Sequence, residues 1–128
     1  MTAGARILIV EDHQTMREAM RLVLEPDFEI LEAADGNLAV DMVRAHHPDI
    51  VFLDLNLPGV PGAEVLRTLK GDPATARVPV IVVTATGEEE RERVTRLGAD
   101  GYFTKPFSPL ALLRTVERVL AGREAPGS

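Results

Sequence analysis

The stretch Ile50-Val51-Phe52-Leu53-Asp54 predicts a buried strand that ends in a carboxylate. Its first four residues are apolar without alternation, which is typical of a parallel strand covered on both faces. Ile7-Leu8-Ile9-Val10 and Val80-Ile81-Val82-Val83 have the same character. Weaker strands are predicted over residues 28–32 and 101–104. The chain therefore contains five predicted strands, and three of them belong to the centre of a sheet.

Apolar residues at helical spacing fill the stretches between these strands. The stripes are Met16, Ala19, Met20 and Val23, then Leu38, Ala39, Met42 and Val43, then Val65, Leu66 and Leu69, then Leu112, Leu113, Val116, Val119 and Leu120. A fifth helix over residues 88–97 has only Val94 and Leu97 on its apolar side, so burial anchors it least. Because strand and helix alternate five times, we predict an α/β fold with a doubly wound parallel sheet of five strands and five helices.

Composition excludes several classes of function. A length of 128 residues fits one domain, and the absence of cysteine rules out a disulfide framework, a thiolate zinc site and a cysteine nucleophile. A formal charge of -6 disfavours direct binding to nucleic acid. No apolar run approaches the ~18 residues of a membrane span, and no signal peptide is recognisable, so we expect a cytoplasmic chain with no membrane contact. We expect the domain over residues 1–122 and a flexible tail or linker stub over residues 123–128.

Polar side chains follow the predicted strands at the point where each one ends. Glu11 and Asp12 follow the first strand, and Asp54 closes the central one. Thr84 and Lys105 follow the last two strands. Because the carboxyl ends of parallel strands meet at one edge of the sheet, we expect these side chains to converge where ligands bind in open α/β folds.

This set of side chains suits the binding of a metal ion and a phosphoryl group. Three clustered carboxylates repel each other unless a cation joins them, and hard oxygen ligands favour Mg²⁺ over zinc. Lys105 adds a second positive charge, which a phosphoryl group needs more than it needs covalent help. A central carboxylate, Asp54, is then the natural nucleophile.

Four segments of the sequence resemble the receiver domains of bacterial two-component response regulators. They are ILIVED at residues 7–12, VFLDLNLPG at 51–59, VVTA at 82–85 and GADGYFTKPF at 98–107. Each motif alone is weak, but the four occur in the family's order and at its spacing, and the resemblance covers about residues 6–121. The chain is similar in size to the single-domain chemotaxis response regulator. The resemblance implies a flavodoxin-like sheet with the strand order 2-1-3-4-5.

The resemblance also implies roles for the residues at the polar edge. Asp54 would accept a phosphoryl group from a phosphohistidine of a histidine kinase or a histidine phosphotransfer protein. Mg²⁺, or Mn²⁺ in its place, would be bound by Asp12, Asp54 and the backbone carbonyl of Asn56, with Glu11 acting through water. The chain would thus be a phosphoacceptor switch in a phosphorelay. It would promote the formation and loss of its own acyl phosphate without being a turnover enzyme.

Further roles concern the switch that follows phosphorylation. The resemblance implies that Lys105 pairs with Asp54 at rest and with a phosphate oxygen afterwards. Thr84 would bind another phosphate oxygen and move inward. The Lys105-Pro106 bond would be cis, so that Pro106 holds the ammonium toward the site. 

Tyr102 resembles the family's rotameric switch residue. If Thr84 moves toward the phosphate, it vacates space that the Tyr102 ring can enter. We expect a homodimer or an effector to recognise the face formed by residues 88–97, Tyr102 and residues 109–120, because that face would change.

Two other functions compete with this interpretation. A small aspartyl-phosphate phosphohydrolase of the haloacid dehalogenase type also uses an aspartate after a hydrophobic strand. It requires a second acid two positions later, where this sequence has Asn56, and normally a cap domain for which the chain has no room. The third candidate is a receiver-like scaffold that is not phosphorylated, and the presence of every named site residue counts against it.

Each candidate residue also has an ordinary structural role. Asp54 could cap the following loop, Glu11-Asp12 could form the cap of the first helix, and Lys105 could be a solvated surface lysine. His13 is expected at the surface. Adjacent residues on a helix point in different directions, so His46 and His47 are poorly placed to bind one metal ion together. We expect them at a helix C-terminus.

Overall fold

The computed structural model describes residues 4–85 and 87–124 and contains five strands and five helices in strict alternation. The strands are β1 (Arg6–Val10), β2 (Glu29–Ala33), β3 (Ile50–Asp54), β4 (Val80–Thr84) and β5 (Gly101–Thr104). The helices are α1 (Gln14–Leu24), α2 (Gly36–His46), α3 (Gly62–Gly71), α4 (Glu88–Arg96) and α5 (Pro109–Glu124). In these described ranges no helix is long and apolar enough to cross a lipid bilayer.

The five strands form one parallel sheet in the order β2-β1-β3-β4-β5, which confirms the predicted fold. The register aligns the ends of the strands, since Val10 lies opposite Leu53 and Asp54 lies opposite Val83. Glu11 and Asp54 therefore leave neighbouring strands at the same level. The polar edge predicted from the sequence follows from this register.

Two apolar cores lie on opposite faces of the sheet, because side chains along a strand alternate between the faces. One core packs α1 and α5 against the sheet and includes Met20, Leu24, Phe52, Leu112 and Val116. The other packs α2, α3 and α4 and includes Val43, Leu53, Leu66, Leu69 and Val94. Both faces of β3 are covered, and all five of its residues are buried. The acceptor candidate Asp54 thus terminates a strand that is buried along its whole length, as β4 also is.

The boundaries of several elements differ from those predicted by one or two residues. β2 begins one residue later, because the Phe28 N–H donates to the Leu24 carbonyl in the turn after α1. The first N–H that joins the sheet is that of Glu29, which donates to the Ala5 carbonyl. α4 ends at Arg96, one residue before Leu97. α5 continues to Glu124, two residues beyond the expected domain boundary, and residues 125–128 of the expected tail lie outside the described residues.

Local capping explains where several helices begin and end. The Asp35 carboxylate accepts a hydrogen bond from Leu38 N at 2.9 Å, and Ser108 Oγ accepts one from Ala111 N at 3.0 Å. At the end of α2, His47 adopts the left-handed conformation with φ 48°, and the His46 carbonyl accepts a hydrogen bond from Arg6. These two histidines thus occupy a helix C-terminus.

A lysine fastens the amino edge of the sheet, opposite to the polar edge. Lys70 Nζ donates hydrogen bonds to the carbonyls of Ala76 and Val78 at 3.1 and 2.9 Å, and to Asp100 Oδ2 at 2.8 Å. The same Asp100 oxygen accepts a bond from Val80 N. One ammonium therefore satisfies the loop that enters β4 and the turn that enters β5.

Gly62, the first residue of α3, lets this helix approach the backbone that carries the acceptor candidate. A Cβ at Gly62 would lie inside contact distance of the Asp54 carbonyl oxygen and 2.5 Å from Leu55 Cα. Both neighbours are main-chain atoms, which cannot swing away. The Gly62 N–H also donates to the Leu55 carbonyl at 3.0 Å, so the close approach is part of the turn.

We expect Gly62→Ala to lower the free energy of unfolding by about 1–3 kcal/mol, since overpacking against fixed backbone forces a local shift. Urea unfolding followed by circular dichroism measures this change. Gly71→Ala is the matched control, because its Cβ would meet nothing within 4 Å in the same helix. That variant should be neutral or more stable by up to about 1 kcal/mol. Equal stability of the two variants would contradict the proposed close packing.

Candidate functional site

A cleft of about 450 Å³ opens at the carboxyl edge of the sheet. It is lined by His13, Thr15, Met16, Ala19, Asp54, Asn56, Ala85 and Lys105. Oxygen or nitrogen atoms of Glu11, Asp12, His13 and Asp54 lie within 4.8 Å of one another. The structure therefore brings the three predicted carboxylates and Lys105 to one place.

Lys105 bridges two buried carboxylates. Its Nζ lies 2.7 Å from Glu11 Oε1 and 3.2 Å from Asp54 Oδ2. Both carboxylate side chains are 2% exposed and the lysine side chain is 17% exposed. A solvated surface role for Lys105 is therefore excluded by its position. Glu11, not Asp54, is its closer partner, which the sequence analysis did not anticipate.

Burial and neighbouring charges shift the pKa values of Asp54, Glu11 and Lys105 in different directions. Burial raises the pKa of Asp54, and the negative charge of Glu11 adds to that rise, outweighing the Asn56 N–H and Lys105. Burial also opposes the charge on Glu11, but hydrogen bonds from Lys105 and His13 outweigh it and lower the pKa of Glu11. The charge on Lys105 is opposed by burial as well, yet its two carboxylate partners raise its pKa. Lys105 and Glu11 thus hold their charged forms more strongly than the free side chains do, whereas Asp54 holds its charged form less strongly.

Asp12 presents an oxygen suited to a cation. Its Oδ1 is buried and accepts no hydrogen bond from any residue in the described ranges, although the side chain as a whole is 32% exposed. His13 Nδ1 lies 3.4 Å from this oxygen and 3.1 Å from Glu11 Oε2. A buried carboxylate oxygen without a donor is costly, and a hard cation removes that cost. The donor set therefore fits Mg²⁺.

Two alternative structural roles have different outcomes. Asp54 does cap its loop, because Oδ1 accepts a hydrogen bond from Asn56 N at 3.1 Å while Oδ2 faces Lys105. Asp12 does not cap the first helix: the N-cap of α1 is His13, and it makes no side-chain capping bond. His13 is 72% exposed, as expected for a surface residue, but it lies at the rim of the acidic cluster.

Thr84 and Tyr102 lie on neighbouring strands beside the cleft. Thr84 is fully buried at the end of β4, and the cleft is lined by the next residue, Ala85. The Tyr102 hydroxyl donates to the Gly87 carbonyl at 3.3 Å, at the start of α4. The Arg91 guanidinium carbon lies 5.8 Å from the centre of the Tyr102 ring. In this conformation the ring is thus held against α4.

The loop between β5 and α5 aims Lys105 at the cleft. The Lys105-Pro106 peptide bond is cis, and the Lys105 N–H continues the ladder to the Thr84 carbonyl at 2.8 Å. One further residue, Arg17, contacts the site's backbone and was not found from the sequence. It donates to the carbonyls of Glu11 and Asp12, and neither spacing nor residue type signals such a contact.

Comparison with known proteins gives one consistent answer. The model of the response regulator receiver domain family matches residues 7–117. The phosphate regulon transcriptional regulatory protein PhoB of Escherichia coli is 43% identical over 117 residues, which are 90% of this chain and 51% of that protein. This chain thus spans about half the length of that relative. Protein PilH of Pseudomonas aeruginosa is 40% identical over 121 residues, covering 92% of this chain and 99% of PilH.

A solved structure with a similar fold contains a magnesium ion. The receiver domain of sensor histidine kinase PA1611 from Pseudomonas aeruginosa PAO1 has a magnesium ion coordinated in its active site cleft. It is 32% identical, with a TM-score of 0.81, over 93% of this chain and 99% of that one. The family match spans most of the chain, and the order of strands and the acidic edge agree with it. The chain therefore belongs to the response regulator receiver domain family.

Proposed function

We propose that this chain is a phosphoacceptor switch whose Asp54 receives a phosphoryl group from a histidine kinase or a histidine phosphotransfer protein. The observation that carries the proposal is the arrangement of Asp54 Oδ2 beside the Lys105 ammonium, in the same cleft as the donor-free Asp12 oxygen. The cleft is open to solvent and large enough for a phosphoryl group and the tip of a partner side chain. Membership of the receiver family supports the same activity.

The transfer replaces one bond to phosphorus with another. An oxygen of the Asp54 carboxylate forms the new O–P bond, and the P–N bond to the donor histidine breaks, with the electron pair remaining on the imidazole. Asp54 is held for this attack by the Asn56 N–H on its other oxygen. Lys105, at 3.2 Å, is placed to neutralise charge on the transferred group.

The metal site that we propose uses Asp12 and Asp54 as direct ligands, with the Asn56 backbone carbonyl, and Glu11 acting through water. Mg²⁺ is the expected ion, and Mn²⁺, with the same preference for oxygen, is expected to replace it. When bound, the ion supplies positive charge to the phosphoryl oxygens. The magnesium in the similar receiver domain supports this assignment.

Release of the phosphoryl group follows from the same groups. We propose that the chain promotes both formation and hydrolysis of its acyl phosphate and acts on no other substrate. Nothing in the site favours the phosphohydrolase alternative, because the position two after Asp54 is Asn56, whose N–H binds the acceptor. A phosphorylated Asp54 would likewise exclude the scaffold alternative.

The output that we propose runs from Thr84 to Tyr102. A phosphate oxygen near Lys105 would draw the Thr84 hydroxyl toward it, and the space vacated admits the Tyr102 ring. The ring's contacts with Gly87 and Arg91 would then break, which changes the start of α4. Only Val94 of α4 is fully buried, so this helix is inexpensive to move.

The partner for this output is a homodimer or an effector that recognises the face of α4, Tyr102 and α5. This face contains the elements that the switch would change. The signalling partners, a histidine kinase or a phosphotransfer protein, place the chain in the cytoplasm in our proposal.

Asp54→Asn is expected to abolish phosphorylation, because an amide cannot act as the nucleophile. Wild-type protein with Mg²⁺ and a small phosphodonor should gain the mass of one phosphoryl group in intact mass spectrometry. Asp41→Asn, which changes an exposed carboxylate on α2, is the control and should label as the wild type does. Undiminished labelling of the Asp54 variant would refute the acceptor assignment.

Asp12→Asn and Glu11→Gln each remove one negative charge with little change of shape. We expect Asp12→Asn to weaken Mg²⁺ binding by more than about tenfold, the loss typical for an outer-shell group, because it removes a direct ligand. Glu11→Gln should weaken it less. Isothermal titration with Mg²⁺ and the paramagnetic resonance signal of Mn²⁺ measure both affinities. Equal losses in the two variants would contradict the distinct roles.

Amide hydrogen exchange with and without a beryllofluoride phosphate mimic tests the switch. In the wild type we expect exchange rates to change in α4 and around Tyr102. Thr84→Ala should lose that change, whereas Thr104→Ala, which alters the exposed threonine paired with it on β5, should keep it. Changes confined to the loops after β1 and β3 would show that the proposed route is wrong.

A further inference from the structure

Arg17, on the first turns of α1, makes contacts that point away from the usual role of a surface arginine. Its Nη1 donates to the Glu11 carbonyl at 2.8 Å and to the Asp12 carbonyl at 3.2 Å. Its Nε donates to Glu32 Oε1 at 3.0 Å, at the end of β2. The side chain is only 17% exposed. One guanidinium therefore joins the two acidic residues of the site to a neighbouring strand.

The contact with Asp12 fixes the orientation of a peptide unit. In a trans peptide the C=O and the N–H point in opposite directions. Because Arg17 holds the Asp12 carbonyl on its own side, the His13 N–H of the same peptide faces the other way. That N–H donates to Glu11 Oε2 at 3.2 Å. The guanidinium thus sets the direction from which Glu11 is held.

The same chain of contacts reaches the acceptor. Glu11 receives the His13 N–H on Oε2 and the Lys105 ammonium on Oε1, and Lys105 also contacts Asp54. The Asp12 side chain leaves the backbone between the two carbonyls that Arg17 binds. Arg17 therefore binds the backbone on both sides of the Cα that carries the donor-free Oδ1.

Arg17 is itself anchored from outside the cleft. Glu32 accepts Arg17 Nε on one carboxylate oxygen and Arg21 Nη1, at 2.8 Å, on the other. Arg21 also pairs with Glu25 and is 46% exposed. Both arginines thus share Glu32, but only Arg17 contacts the backbone of Glu11 and Asp12. This difference makes Arg21 the natural control.

We infer that Arg17 is a positioning residue of the divalent-cation site, which holds the Glu11-Asp12 backbone so that the Asp12 carboxylate faces the cleft. The inference rests on the proposed function for the identity of the site. The inference predicts a change in cation affinity opposite to the change expected from charge alone. By Coulomb's law, removing a positive charge near the site tightens the binding of a cation. If Arg17 positions the Asp12 carboxylate, removing Arg17 weakens the binding of the cation instead.

The test compares Arg17→Met with Arg21→Met in the full chain. Mn²⁺ affinity is measured by paramagnetic resonance, and stability is measured by urea unfolding. We expect Arg17→Met to weaken Mn²⁺ binding by about tenfold or more, the loss typical when an outer-shell partner is removed. Arg21→Met removes the same charge and the same Glu32 partner, and should bind Mn²⁺ within about twofold of the wild type. Wild-type or tighter affinity in Arg17→Met overturns the inference, whatever its effect on stability.

Arg17→Lys separates charge from geometry. A lysine keeps the charge but carries all its donors on one nitrogen, whereas Arg17 binds the two carbonyls with Nη1 and Glu32 with the separate Nε. A lysine at this position lacks that fixed spacing, so we expect reduced affinity here too. If Arg17→Met does not fold, this variant alone decides: reduced affinity in a folded protein supports the inference, and unchanged affinity overturns it.

Phosphorylation of the wild type by a small phosphodonor separates a failure of the proposed function from a failure of the positioning role of Arg17. A wild type that accepts no phosphoryl group refutes the proposed function, while weakened Mn²⁺ binding in Arg17→Met still supports the positioning role. A wild type that is labelled, together with unchanged Mn²⁺ binding in Arg17→Met, refutes the positioning role alone.

Discussion

One ammonium between two buried carboxylates holds the site together. Lys105 contacts Glu11 from β1's end and Asp54 from β3's end, so it ties the loop after β5 to two other strands. Removing one partner of such a buried pair costs about 3–5 kcal/mol, because the remaining charge stays buried. The pair leaves a net negative charge with Asp12 beside it. Each charge of the site therefore depends on its partners, and the remaining negative charge attracts a cation.

The convergence of the polar side chains at one edge of the sheet could be predicted from the sequence. The individual side-chain contacts could not. Continuous apolar runs predicted β1, β3 and β4, and the polar residues at the ends of these strands and of β5 predicted that Asp54 and Lys105 would meet. The choice of Glu11 as the closer partner of Lys105 depends on side-chain rotamers within an ångström, which no residue pattern encodes. The role of Arg17 depends on the direction of two carbonyls after β1. β2 begins one residue later than predicted, because the N–H of Phe28 belongs to a turn and not to the sheet.

Rigidity and mobility are divided between the centre of the sheet, at β3, and the weakly buried helix α4. β3 is buried along its whole length, and Gly62 brings α3 onto its last residues, so the proposed acceptor sits on a closely packed part of the molecule. α4 buries only Val94 and is fastened through Tyr102 to the strand beside it. A signal that begins at a rigid point and ends at a weakly anchored helix needs little energy to be transmitted.

The scarcity of lysine has a chemical consequence. Only Lys70 and Lys105 carry side-chain amines, and the other twelve basic residues are arginines. Both ammonium groups are engaged with carboxylates or carbonyls, and partners raise the pKa of Lys105, which keeps it protonated. An amine attacks an acyl phosphate only when the amine is neutral, because an ammonium has no free electron pair. Such donors can therefore phosphorylate a carboxylate of this chain with few competing acylations of its side chains.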